Sequence, residues 1–295
     1  MSPLARILAL VTGLAVVFGL GLTVGRAVGP DDVRPVAEHE GDGRHDGSGD
    51  DHGGHAAQGD LRLDLDPAWH ETGFGAHGFR ILDPAGDPVT SYDVKHERRL
   101  HLIVVDQRSL TDYHHLHPVL GDGGEWTVPA DLAAGTYRIY ADGSTGGQEF
   151  VAERTVQVRE PAPQPARLPR PGTTQRVDGY DVHLEPTEAG SVTLRVTRAG
   201  EPVDDLEEYL GASGHLVVIR AGSMDYVHAH PEDGPAGPEV TFGVGFDRPG
   251  THRLFFEFQH GRRVHTAAFT LEVDASGSAS GDSDDDHGED GDHAH

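Results

Sequence analysis

The sequence predicts an all-β protein in which two β-sandwich domains follow one another. Three observations carry this expectation. The two halves of the chain repeat each other. Both halves consist of short β-branched runs broken by Gly, Pro and Asp, with little helical periodicity. Each half also has about 100 residues, an ordinary size for one sandwich. The repeat can be read residue by residue. His101, then LIVV, then His115-Leu116-His117-Pro118 corresponds to His215, then LVVI, then His228-Ala229-His230-Pro231. Downstream, GTYRI at 135–139 matches GTHRL at 250–254, and upstream Asp87-Pro88-Val89 matches Glu201-Pro202-Val203. A tandem of two immunoglobulin-like β-sandwiches accounts for both the period and the strand pattern.

In chain order, residues 1–30 contain an uncharged aliphatic run from Ile7 to Gly25, long enough to cross a bilayer. A retained N-terminal membrane anchor is expected, with a cleaved signal segment as the alternative, because Gly25-Arg26-Ala27 is a poor cleavage site. The remainder is then extracytoplasmic at the cell membrane, or secreted. Residues 31–60 form an acidic, His-rich spacer and 275–295 an acidic, His-containing tail; both are expected to be disordered. Between them lie sandwich 1 (61–160), a Pro-rich linker (161–174) and sandwich 2 (175–274).

Composition removes several function classes. A net charge of −26 argues against nucleic acid as a partner. The absence of Cys removes disulfides, thiolate metal sites and a Cys nucleophile. Neither HExxH nor GxSxG occurs, so no enzymatic role is expected. Histidine is the anomaly, with 21 residues, many of them clustered.

In a strand, residues i and i+2 share a face. His115 and His117 therefore project together, as do His228 and His230. Pairing residues whose numbers sum to 218 places His101 opposite His117 and Ile103 opposite His115. In the second half a sum of 445 places His215 opposite His230 across a Gly222-Ser223 turn. Three imidazoles then converge in each domain, at cross-strand spacing, which suits a metal ion. The bland alternative is a hydrogen-bonded histidine cluster that organises a core. Asp142 and Glu257 occupy equivalent positions, and either is a candidate further ligand; His265 is available only in the second domain. His252 reads as a packing residue, and His114 alternates to the opposite face. With no Cys and only Met1 and Met224, imidazole ligands favour Cu(II), with Zn(II) as the second choice.

The patterns HLIVVDQRSLTDYHHLHP with GTYRIYAD, and GHLVVIR with YVHAHP and VHTAAFTLEV, resemble a family of actinobacterial membrane-anchored exported proteins with HxHP repeats that are heavy-metal- or copper-associated. They are also distantly similar to YtkA-like β-sandwich domains. The resemblance implies an extracytoplasmic, metal-linked role and points to His101, His115, His117, His215, His228 and His230, with His265 as a further candidate. The expected function is sequestration or delivery of a divalent metal through one three-His site per domain. The alternative is an extracytoplasmic interaction or adhesion module whose histidines are structural.

Overall fold

The computed structural model describes residues 61–159, 167–186, 190–227, 229–232, 234 and 237–280. The expected anchor, the expected spacer and residues 281–295 of the tail lie outside the described residues. Among the described residues no helix is long and apolar enough to cross a membrane. The described chain is all-β, with two short 3-10 turns and no α-helix.

The first domain has eight strands. They are β1 (Arg62–Leu65), β2 (Gly73–Leu82), β3 (Leu100–Asp106), β4 (Tyr113–Leu116), β5 (Val119–Leu120), β6 (Glu125–Leu132), β7 (Gly135–Thr145) and β8 (Gln148–Val158). One sheet runs β1-β2-β6-β5 and the other β4-β3-β7-β8, antiparallel throughout. With strands lettered A to G, that is A-B-E-D facing C′-C-F-G, the strand order of an immunoglobulin-type sandwich with one added strand. Trp69, Phe79, Trp126, Leu102, Val104 and Ile139 fill the space between the sheets. Burying each such side chain contributes about 1.5–3 kcal/mol.

The second domain repeats the plan. Its strands are β9 (Thr174–Val177), β10 (Tyr180–Pro186), β11 (Ser191–Arg198), β12 (Glu201–Pro202), β13 (His215–Arg220), β14 (Asp225–Val227), β15 (Ala229–Pro231), β16 (Glu239–Val244), β17 (Gly250–His260), β18 (Arg263–Val273) and β19 (Ala279–Ser280). The sheets run β15-β16-β11-β10-β9, with β12 on β11, and β14-β13-β17-β18-β19. Strands β9 and β19 are edge additions to the shared order.

Two boundary expectations need correction. The tail was expected to be disordered from 275, but 275–280 form a turn anchored by Asp274 and then β19, paired to β18. The sequence reads 161–174 as a Pro-rich linker. Its first residues, 161–166, lie outside the described residues, but its end is built into the fold. Gly172 N–H donates to Thr270 O at 3.0 Å, and Leu168 packs against apolar side chains of both domains.

Those apolar side chains form a third core, between the sandwiches. Along β3, Leu100, Leu102 and Val104 point into sandwich 1, whereas Ile103 and Val105 point out of it. Along β13, Leu216 and Val218 point into sandwich 2, and Val217 and Ile219 point out. The outward residues meet, together with Tyr140 and Phe255, so the β3 and β13 sheets pack face to face. Tyr113 stacks on Phe255 with ring centroids 3.9 Å apart. The Tyr140 hydroxyl donates to Met224 O at 2.6 Å, and Arg253 Nε donates to Leu110 O at 3.2 Å. A strand covered on both faces is apolar at every position, which is why LIVV and LVVI show no alternation.

Candidate metal centre

Alternation along the two central strands decides where the histidines go. His101 shares the outward face of β3 with Ile103 and Val105, and His215 shares that of β13 with Val217 and Ile219. Because these faces oppose each other, His101 and His215 meet at one end of the inter-domain core, their rings stacked at 5.4 Å. His115, opposite Ile103 on β4, joins them with its ring 4.8 Å from that of His215. His101, His115 and His215 each offer a nitrogen, and these atoms lie within 4.8 Å of one another. Two histidines of the first domain and one of the second thus form a single group.

The other candidates lie around or away from it. The sum of 218 describes the β3–β4 ladder, but the pairing stops at Leu116, one residue before His117. The His117 ring nevertheless stays beside the group, 5.2 Å from His101 and 4.8 Å from His115. The sum of 445 describes β13–β14 as far as Val218–Val227. The chain then crosses to the other sheet, so His230 sits opposite Gly243 rather than His215, exposed at the rim of the cleft over the cluster. Pro118 and Pro231 follow the two motifs, and proline cannot donate to a continuing ladder. His228 lies outside the described residues. Among the described residues, the expected first-domain trio stays together, and the group whose donor atoms converge joins His101 and His115 to His215 of the second domain.

His265 is remote from the cluster. It pairs with Phe258, the neighbour of Glu257, and so faces the other side of the sheet, where its Nδ1 lies 2.8 Å from Asp178 Oδ2. His252 packs against Phe246, and His114 bonds Asp112 at 2.9 Å.

The two carboxylates at equivalent positions do different things. His101 pairs with Asp142 on β7 and His215 with Glu257 on β17. Glu257 reaches across the interface to His115 Nδ1, at 2.6 Å. Asp142 reaches across the other way and accepts from the Tyr226 hydroxyl at 3.1 Å. Tyr113, the counterpart of Tyr226, has a buried hydroxyl with no hydrogen-bond partner among the described residues.

A carboxylate can only accept, so His115 donates from Nδ1, and in the neutral ring the lone pair is on Nε2. That lone pair faces His101 Nδ1 at 2.9 Å. His101 Nε2 and His117 Nε2 are buried with no hydrogen-bond partner among the described residues. Burial first, then the neighbouring imidazoles, pushes His101 down to about 3. Burial, then His115 and Arg98, pushes His117 down to about 3 as well. Burial and the same neighbours hold His215 well below its ordinary value. These three imidazoles are neutral at physiological pH, the form that ligates metal.

A turn closes over the group. Lys95 and Arg98 exchange backbone hydrogen bonds, and His96 and Glu97 between them both have positive φ, 46° and 61°. Such a two-residue turn normally uses Asn-Gly, so His-Glu stores backbone strain here. The turn places the His96 ring 6.3 Å from His101 and 6.4 Å from His215. Sequence reasoning missed His96, the two tyrosines and the inter-domain contact. The unbroken apolar runs at 102–105 and 216–219 were the available signal for the contact.

The family described as Domain of unknown function (DUF8832) matches the chain twice, over residues 59–160 and 175–275. No curated protein matches the sequence. Among solved structures, the adhesin FdeC of Escherichia coli is 17% identical with a TM-score of 0.21, covering 71% of this chain and 62% of its own. A two-domain fibronectin type-III segment of chicken tenascin is 13% identical with a TM-score of 0.22, covering 72% of this chain and 99% of its own. The BSP domain of a biofilm-associated protein is 10% identical with a TM-score of 0.22, covering 71% and 29%.

Proposed function

The chain belongs to the DUF8832 family, with two copies of its domain, and from that premise we propose that the pair of domains binds one divalent transition-metal ion between them. The convergence of His101, His115 and His215 on one point carries the reading. Three imidazoles with Glu257 bonded behind one of them reproduce the carboxylate–histidine–metal arrangement that orients a ligand and raises its basicity. The donor set is all nitrogen, which suits Cu(II) first and Zn(II) second. Three protein ligands leave a four-coordinate ion one open position. With the apolar Ile7–Gly25 run as an anchor, the pair would stand outside the cell membrane, and its role would be to sequester or deliver the ion. The acidic, His-bearing segments at 31–60 and 281–295 would hold further ions weakly. The test is metal analysis and calorimetry on untagged protein. One tight ion per chain, lost in His215→Ala, is expected; no tight site, or one indifferent to His215, would overturn the reading.

A second reading rests on one observation, the His115–Glu257 hydrogen bond that crosses from one domain to the other. On that reading the histidines only tie the domains together, and the tandem is an interaction or adhesion module. Domain docking that is unchanged by chelator and by added metal would favour it.

A further inference from the structure

The cleft over the histidine cluster has the wrong charge for a bare cation. Lys95, Arg98 and Arg99 line it, together with His101, Asp142 and His215. These are three of only 23 cationic side chains in a molecule whose net charge is −26. Lys95 is neutralised by its ion pair with Glu149. Arg98 and Arg99 are exposed at the mouth, and Arg98 Nη1 donates to a backbone carbonyl, that of Glu97, at 3.1 Å.

Formal charges show what is missing. A divalent ion at the cluster is offset by Glu257, bonded to His115, and by Asp142, which holds Tyr226. Arg98 and Arg99, which line the same cleft, then remain without an ion-pair partner among the described residues. Two planar forks next to an open metal position match an anion that can ligate through one oxygen and accept hydrogen bonds through the others.

We infer that the metal is held as a ternary complex with a small oxyanion, one oxygen on the metal and the rest on Arg98 and Arg99. This rests on the metal reading above. The anion's class is a dianion of carboxylate or phosphate chemistry; the shared chemistry is two or more oxygens around one centre or one short chain. It explains why arginines guard a cation site. The ion enters with, or is capped by, a ligand that cancels their charge. It also explains how a three-histidine group with a vacant coordination position is closed to water.

Co(II) is the probe, added below one equivalent to the untagged full-length chain, with visible absorption as the readout. Oxalate and inorganic phosphate form the two arms, and chloride at matched ionic strength is the control. A saturable change in the Co(II) bands with one or both oxyanions, absent with chloride, is expected. Arg98→Ala/Arg99→Ala, at two exposed positions, should weaken oxyanion binding tenfold or more. The same variant should bind Co(II) alone as tightly as wild type, or more tightly, because two repelling charges are gone. Response to oxalate alone or to phosphate alone identifies the anion and supports the inference equally. Co(II) bands that depend on His215 but ignore both oxyanions would overturn the inference and leave the metal reading standing. Equal oxyanion affinity in the double variant would also overturn it. Co(II) bands that never form, or that survive His215→Ala, would overturn both.

Discussion

His115 of the first domain and Glu257 of the second are joined by a hydrogen bond of 2.6 Å, with their side chains 1% and 5% exposed. The bond couples two properties that a sequence leaves separate: which nitrogen of His115 carries a lone pair, and whether the domains are docked. Replacing Glu257 with Gln keeps the shape, removes the charge and frees the imidazole tautomer. Metal affinity in Glu257→Gln should fall about 10–100-fold, the usual cost of losing such a partner. Calorimetry on the variant is the check, and an unchanged affinity would remove Glu257 from any orienting role.

One shared site predicts non-additive losses. His115→Ala and His215→Ala lie in different domains, yet each should abolish the same tight site, and the double variant should look like either single one. Two independent domain sites would instead give additive stoichiometry, one ion lost per variant. Titrations of wild type, both singles and the double distinguish the two patterns.

Acid should weaken the fold before it weakens ordinary sandwiches. In an unfolded chain a histidine titrates near about 6.5, whereas His101 in the fold titrates at about 3. Between these values the unfolded state binds more protons, so stability rises with pH and is lost as pH falls from about 6.5 toward 3. The slope from His101 approaches roughly 1.4 kcal/mol per pH unit inside that window. Urea unfolding at pH 4 and pH 7 measures it, and the difference should shrink in His101→Gln. The same depression moves proton competition for metal. Because His101 is already neutral at pH 5, affinity should fall less between pH 7 and 5 than for three ordinary imidazoles, and the contribution of His101 to the fall should appear only as pH approaches 3.

The apolar plug should matter to a site it does not ligate. Phe255 is buried between the sandwiches and stacked on Tyr113. Phe255→Ala should cost about 3–5 kcal/mol and weaken metal binding as well, since it loosens the faces that carry His101 and His215. A variant that loses stability but keeps full affinity would show that the cluster is set within one domain.

Much of this was legible in the chain. The repeat located two equivalent sandwiches, and period-2 reasoning found the register on both hairpins: Ile103 does face His115, and Val218 does face Val227. The register ends after Leu116 and Val227, where each strand stops and the chain changes sheet. Cross-strand arithmetic cannot see a sheet change, so His230 was placed opposite His215 when it belongs to the far sheet. The domain contact was missed for a different reason. An apolar run reads as a strand whether one face or both are covered, and only the lack of alternation in LIVV and LVVI distinguishes the cases. The sequence marks out His215 and Glu257 but not their neighbours, because His101 and His115 sit in the other copy.

The face-to-face packing of β3 and β13 also bears on how the covalent chain is used. The two halves are held by an apolar plug, by Tyr140 on Met224, by Arg253 on Leu110 and by Glu257 on His115. Apart from Leu168, which packs against the plug, these ties do not involve the peptide that connects the halves. Each half carries a hydrophobic face that only the other satisfies. Produced as two separate polypeptides, the halves should recognise each other in solution, and the imidazole group would be a product of that complementation, assembled only when both fragments are present.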